Sequence, residues 1–499
     1  MNPNYQKLVE RLEESSRLGG IMGILHWDQE VIMPDGAAES RAKQMGVLAG
    51  ILHEKSTDPE TGKLLDQLKN ENSFDEFEQS NIREAQREYE METKVPKNLV
   101  MELAELSSKG HQIWAKARSE NRFSDFAPIL TQLVELKKRW AEYVSPELQP
   151  YDANIDLYER GTTMADLTPV FDEIKSELIP LIRDIKASEY KPDSSPLSGE
   201  FPVNKQEALG RRISEDMGFA FDKGRMDVSV HPFCGGSHPT DVRITTRYRT
   251  DNFIESLYAV IHETGHGLYE QGRMEKGRDL PVSEALTMGI HESQSLFWER
   301  MIAQGSAFCN RYLPLITETF PEKFKGISGE QLYEAVNISE PSFIRVEADE
   351  VTYPMHVILR YEIEKGLFDG SVEINSLPEL WNAKMKEYLG IEPETDTLGV
   401  LQDTHWSGAA FGYFPSYTLG AIYASQFYGT LIQEKPDLEK EIESGNLAII
   451  REWLNQKIHQ KGRLLSVPEL VKQVTGDQLN PKIFLNYLKK KYRKIYRLN

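Results

Sequence analysis

The stretch IESLYAVIHETGHGLYEQG, residues 254–272, decides the reading of this chain. Its apolar residues Ile254, Leu257, Tyr258, Val260 and Ile261 follow Phe253 at helical spacing, so the segment predicts a helix packed in the interior. Residues four apart on a helix lie one turn above each other on the same face. His262 and His266 therefore present two imidazoles to one point, with Glu263 beside them. This is the His-Glu-x-x-His pattern, in which the histidines hold a divalent ion and the glutamate is general base toward the water that the ion polarises.

A catalytic site of this type needs a third protein ligand and an open fourth position. The segment PVSEALTMGIHESQSLFWERM, residues 281–301, supplies Glu292, with Ser283 as a cap for its helix. Glu292 lies 292 − 266 = 26 residues past the second histidine, enough to finish one helix, turn at Gly272 and Gly277, and enter an antiparallel neighbour. A glutamate among apolar residues is costly to bury without a charge partner, and a divalent cation is such a partner. The competing assignments put Glu292 in solvent or pair it with Arg300 or Lys276. His291 and Glu284 are weaker ligands, and Glu270 is placed to orient a ligand from behind.

The rest of the chain bounds the fold. With 499 residues and 39% hydrophobic content it can bury a large core without cross-links. Its two cysteines, Cys234 and Cys309, fit no disulfide or thiolate-metal framework and read as core residues in a reducing compartment. The charged, helix-periodic N-terminus is unlike a secretory signal, and no apolar run is long enough for a membrane span, so a soluble cytoplasmic protein without a membrane partner is expected. A net charge of −20, from 58 Lys+Arg against 78 Asp+Glu, argues against a nucleic-acid partner. The basic tail LKKKYRKIYRLN fits a docked amphipathic helix carrying Tyr487, Leu488, Tyr492, Ile495 and Tyr496 on its apolar face.

Helical periodicity dominates near 3–17, 37–56, 73–93, 97–119, 125–145 and 165–187. The stretch EYKPDSSPLSGEFPVNKQ is the clearest loop signal and marks a lobe boundary near 188–206 within a single domain over 1–499. Alternating, β-branched residues appear only near 226–249, which reads as a small antiparallel element. From Asp251 or Asn252, as cap, helix returns. The fold class is mainly α, a large helical body with a minor β element at one wall of a groove.

Six ordered stretches resemble the signatures of one family. They are LHWDQEVIMPDGAAESRAKQ (25–44), His231-Pro232-Phe233, the Asp241-x-Arg243-x-Thr245 motif, the His262/His266 pair followed by His291-Glu292-Ser-Gln, Ile344-Arg345 with Asp349, and Gly399 to Trp406 containing Gln402, Asp403 and His405. The chain resembles the carboxypeptidase Taq, or thermostable carboxypeptidase, family of metallopeptidases over most of its length. The resemblance implies a helical two-lobed body around a deep groove, a homodimer, peptide substrates trimmed from the C-terminus, and a groove end closed by the motifs that hold His231, Asp241 and Arg243.

The chemistry expected of such a site is hydrolysis by activated water with Glu263 as base and then acid. His405 and Tyr417 resemble the oxyanion-stabilising pair of related helical zinc peptidases, with Tyr413 as the rival tyrosine. A guanidinium suits a terminal carboxylate; Arg345 and Arg243 are the candidates, unless Asp349 or Asp241 pairs with them. Zinc is the expected ion for two histidines and a glutamate, and cobalt or manganese would take the same ligands. An oligopeptidase cutting internal bonds is the alternative function, followed by a non-catalytic metal scaffold.

Overall fold

The computed structural model describes residues 2–71 and 73–498. The N-terminal half is built from the helices Pro3–Val31, Ala38–Ser56, Pro59–Leu68, Glu76–Lys94, Lys97–Ser119, Phe123–Val144 and Met164–Ala187, on which the expected periodic segments fall. Among the described residues no helix is long and apolar enough to cross a membrane.

The apolar residues sort into one large core and two small ones. The large core draws on residues from Ala117 to Tyr496. Tyr5, Leu8, Leu65, Leu68, Phe74, Ile82 and Ala85 form a separate cluster, and Val95, Leu99, Leu136 and Val144 another. The helix Ala38–Ser56 buries no residue at all. The first helix docks on the body through Trp27, 2% exposed, whose ring centroid lies 4.9 and 4.7 Å from the guanidinium carbons of Arg225 and Arg243.

The β element is mixed, a correction to the antiparallel element expected near 226–249. Strand β1 is Gly224–Val228, β2 is Cys234–His238 and β3 is Asp241–Thr246. β3 is central: β2 pairs with it antiparallel, while β1 pairs with it parallel. After β1 the chain passes through His231-Pro232-Phe233 to the far edge before turning back into β3. Alternation marks which face each residue takes but is blind to strand order, because both kinds of pairing share a two-residue period. Val242 and Ile244 of β3, 2% and 0% exposed, belong to the large core beside the helix Phe253–Gln271.

The expected loop over 189–206 ends at 202, where the helix Val203–Met217 begins; it holds one short 3-10 turn, Ser195–Leu197, yet Phe201 within it is fully buried, with its ring 4.8 Å from Phe253 and 5.1 Å from Phe320. The basic tail is the amphipathic helix Pro481–Ile495, with Leu488, Tyr492 and Ile495 buried.

Candidate metal centre

The helix Phe253–Gln271 starts at Asn252, whose side chain accepts the Glu255 amide, and buries Phe253, Val260, Ile261 and Leu268. The next helix, Met288–Leu296, is capped by Thr287, whose hydroxyl accepts the Ile290 amide. The expected cap, Ser283, instead ends a separate 3-10 turn, Pro281–Ser283. Two glycines let these helices and the helix Pro415–Glu434 meet closely. A Cβ on Gly265 would stand 2.7 Å from both the Gln294 carbonyl oxygen and Ser295 Cα, and one on Gly420 would stand 2.6 Å from Glu292 Cγ.

This close packing brings His262, His266 and Glu292 together, with ligand atoms all within 4.8 Å of one another. Nε2 of His262 and Nε2 of His266 lie 3.7 and 3.4 Å from the same Glu292 Oε2. Tetrahedral ligands at zinc distances stand about 3.3 Å apart, so the three atoms fit one small cation. The partners weighed against that role do not hold Glu292: Lys276 pairs with Asp75, and Arg300 makes no ion pair among the described residues.

The far ring nitrogens fix which tautomer each histidine presents. His262 Nδ1 lies 2.7 Å from Glu299 Oε2, so its Nδ1–H donates there and Nε2 is the nitrogen turned toward Glu292. His266 reaches a carboxylate by one more step: its Nδ1 lies 2.6 Å from Nδ1 of His291, whose Nε2 lies 2.9 Å from Glu270 Oε1. Thus Glu270 is linked to His266 through His291, which is a hydrogen-bond partner of that candidate ligand. Burial opposes a charge on His262, but Glu292, Glu299 and Glu263 outweigh it and raise its pKa to about 9. Burial pushes Glu263, 6% exposed, up to about 7. Burial also works against Glu292, yet His262 and His266 hold its carboxyl down at about 2. The acidic groups that draw a proton onto His262 would equally favour a divalent cation in its place, and two imidazole nitrogens with a carboxylate oxygen at one point are a donor set suited to it.

The carboxypeptidase Taq (M32) metallopeptidase family model matches residues 7–492. The chain belongs to that family. It is 39% identical to Carboxypeptidase 1 of Bacillus subtilis and 37% identical to Thermostable carboxypeptidase 1 of Thermus thermophilus, with 99% of both chains covered in each comparison. Its fold matches the crystal structure of an M32 carboxypeptidase from Deinococcus radiodurans at a TM-score of 0.97 and 34% identity, over 99% of this chain and 100% of that one. The protein is thus a peptide hydrolase, a metallocarboxypeptidase.

Around the centre of this M32 enzyme, Tyr417 lies one turn before Gly420 on the helix that touches Glu292, and its hydroxyl is 3.4 Å from His405 Nε2. Tyr413 sits in the same group, its ring 5.4 Å from His405 and 5.2 Å from Tyr417. Burial lowers the His405 pKa to about 4. Arg345 does not pair with Asp349. It gives two hydrogen bonds, from Nε at 3.1 Å and Nη2 at 2.8 Å, to Asp403 Oδ1, and a third from Nη1 to Tyr353 Oη at 2.6 Å. Asp349 instead accepts from Ser339, Val351 and Thr352. Arg243 forms two hydrogen bonds to Asp241, at 2.8 and 2.9 Å, while its guanidinium lies against Trp27. His231 lies between β1 and β2 with an exposed side chain. Asp241 lines a cavity of about 500 Å³ together with Gly20, His238, Glu270, Arg273 and His291.

Sequence reasoning missed Glu299, and it named Arg300 only as a possible partner of Glu292. Glu299 is two turns after Glu292, so heptad spacing hinted at it, but the intervening backbone is a π-helix over Phe297–Ala303 that no residue pattern announces. Arg300 is 7% exposed, its guanidinium carbon 5.2 Å from the Tyr353 ring centroid.

Proposed function

We propose that this metallocarboxypeptidase hydrolyses C-terminal peptide bonds with Glu263 as general base at a cation held by His262, His266 and Glu292. The convergence of both Nε2 atoms on Glu292 Oε2, with buried Glu263 beside them, carries the reading. A divalent cation held there would supply Lewis acidity, lowering the pKa of water toward neutrality and polarising the scissile carbonyl. Glu263 takes the proton of the attacking water and delivers it to the departing amine nitrogen; a carboxyl raised to about 7 suits both tasks near neutral pH. His405 and Tyr417 donate hydrogen bonds to the carbonyl oxygen as it gains charge, with Tyr413 packed beside them. Arg345 binds the substrate's terminal carboxylate through the N–H groups that Asp403 and Tyr353 leave free. Arg243, Asp241 and His231, on and beside the small sheet, close one end of the groove.

Zinc is the ion that two histidines and a glutamate favour, with cobalt and manganese as substitutes. We read the chain as one peptidase domain, supported by a core that spans both sides of the loop that ends at 202. A homodimer in a reducing cytoplasm is the assembly and setting proposed, in keeping with two free cysteines. The test is release of terminal residues from an N-blocked peptide by wild type and Glu263→Gln at equal metal content. Sequential release by wild type alone supports the assignment. Internal fragments instead would point to an oligopeptidase, and loaded metal without cleavage by either protein to a scaffold.

A further inference from the structure

Glu364, on the helix Tyr353–Asp369, is completely buried, and Arg360, one turn earlier, is committed to Asp403 and Gln402. Three donors converge on its carboxylate. Trp406 Nε1 donates to Oε1 at 2.7 Å, while the Gly412 amide and the Tyr151 hydroxyl donate to Oε2 at 2.8 Å each. Trp406 follows His405 and Gly412 precedes Tyr413, so both ends of the intervening loop meet on one side chain. That loop has little regular structure of its own: after the 3-10 turn His405–Gly408, Ala409 adopts φ 58°, a conformation that costs an L-residue about 1–2 kcal/mol.

We propose that Glu364 is a positioning residue for hydrolysis, tying both ends of the 405–413 loop and so fixing His405 relative to Tyr413 and Tyr417. This rests on the reading that His405 and Tyr417 donate to the charged oxygen. An isolated carboxylate is costly to bury, and an apolar residue here would leave three donors unmet. Glutamine is no substitute. Its amide offers one acceptor atom and one donor group, so either the Trp406 indole or the Gly412 amide would face an N–H.

The experiment compares Glu364→Gln, Trp406→Phe, the double variant and His405→Ala, each at matched metal content, for kcat and KM on an N-blocked peptide. A misplacement near 1 Å costs on the order of 10²-fold in rate. Glu364→Gln is expected to lose between about tenfold and 10²-fold in kcat with KM and metal affinity unchanged. Trp406→Phe in that background removes the opposing N–H and is expected to restore part of kcat, a rescue that general destabilisation would not produce. Should Glu364→Gln not fold, Trp406→Phe alone, with one carboxylate oxygen orphaned, is expected to lose kcat at constant KM. If His405→Ala is impaired while Glu364→Gln, or Trp406→Phe in its place, keeps full kcat, the positioning role is overturned. If His405→Ala itself keeps full kcat, the underlying reading of His405 fails, and the positioning role with it.

Discussion

Removing the His291 imidazole tests whether the hydrogen bonds behind the ligands set metal affinity. In His291→Ala the Nδ1–H of His266 loses the acceptor 2.6 Å away, in a side chain only 15% exposed, and Glu270 loses its donor at 2.9 Å. A buried donor left unmet costs about 1–3 kcal/mol. The imidazole is then free to move its proton to Nε2, where it occupies the lone pair that faces Glu292. Loss of such a partner weakens metal binding by about 10–100-fold, which corresponds to about 1.4–2.7 kcal/mol. His291→Gln separates the hydrogen bond from the bulk, because its amide oxygen can accept from His266 while its nitrogen donates to Glu270. The assay is a competition titration of zinc against a chromophoric chelator, with circular dichroism to verify folding. Affinity falling in His291→Ala and largely returning in His291→Gln is the expected result. A folded His291→Ala that binds zinc as tightly as wild type would refute the reasoning.

Glu263→Gln should retain zinc but lose about 10²–10⁴-fold in kcat, measured by terminal-residue release. Gly265→Ala places a methyl group 2.7 Å from the main chain of the neighbouring helix, so it should force the ligand helices apart, cost about 1–3 kcal/mol in denaturant unfolding and weaken zinc binding. Asp403→Asn leaves Arg345 and Arg360 buried without their shared counterion and should cost about 3–5 kcal/mol. Burial opposes the Asp403 charge, but Arg360 and Arg345 hold its carboxyl far below the ordinary range. A depressed carboxyl contributes stability above its unfolded pKa of about 3.9 and loses it as pH falls through the folded value. The gap between wild type and Asp403→Asn, followed by unfolding across pH, should therefore stay constant through neutrality and close only in strong acid.

Much of the candidate metal centre was legible because its signals are local. Four-residue spacing puts His262 and His266 on one face wherever the helix lies, and Glu292 stands out as a charge among apolar neighbours. What escaped depends on distant parts of the chain. Arg345 finds Asp403, 58 positions away, rather than the nearby Asp349, because the loop before His405 folds back onto it. Glu299 reaches His262 through a π-turn set by packing. The cap falls at Thr287 rather than Ser283 because Pro281–Ser283 closes a turn of its own, and the parallel β1–β3 pair depends on a crossing that alternation cannot encode.

The N-terminal helices have a consequence for how the molecule opens. The helix Ala38–Ser56 buries nothing, and the cluster around Tyr5 and Leu65 is separate from the main core. Free energies of local opening follow buried apolar contact, so the chain should exchange its amide protons in tiers. Amides of Ala38–Ser56 should exchange through small local openings, at rates far above those of Phe253–Gln271 and Pro415–Glu434. The latter two should be protected up to the limit of global unfolding, leaving the ligand helices intact while the N-terminal layer breathes.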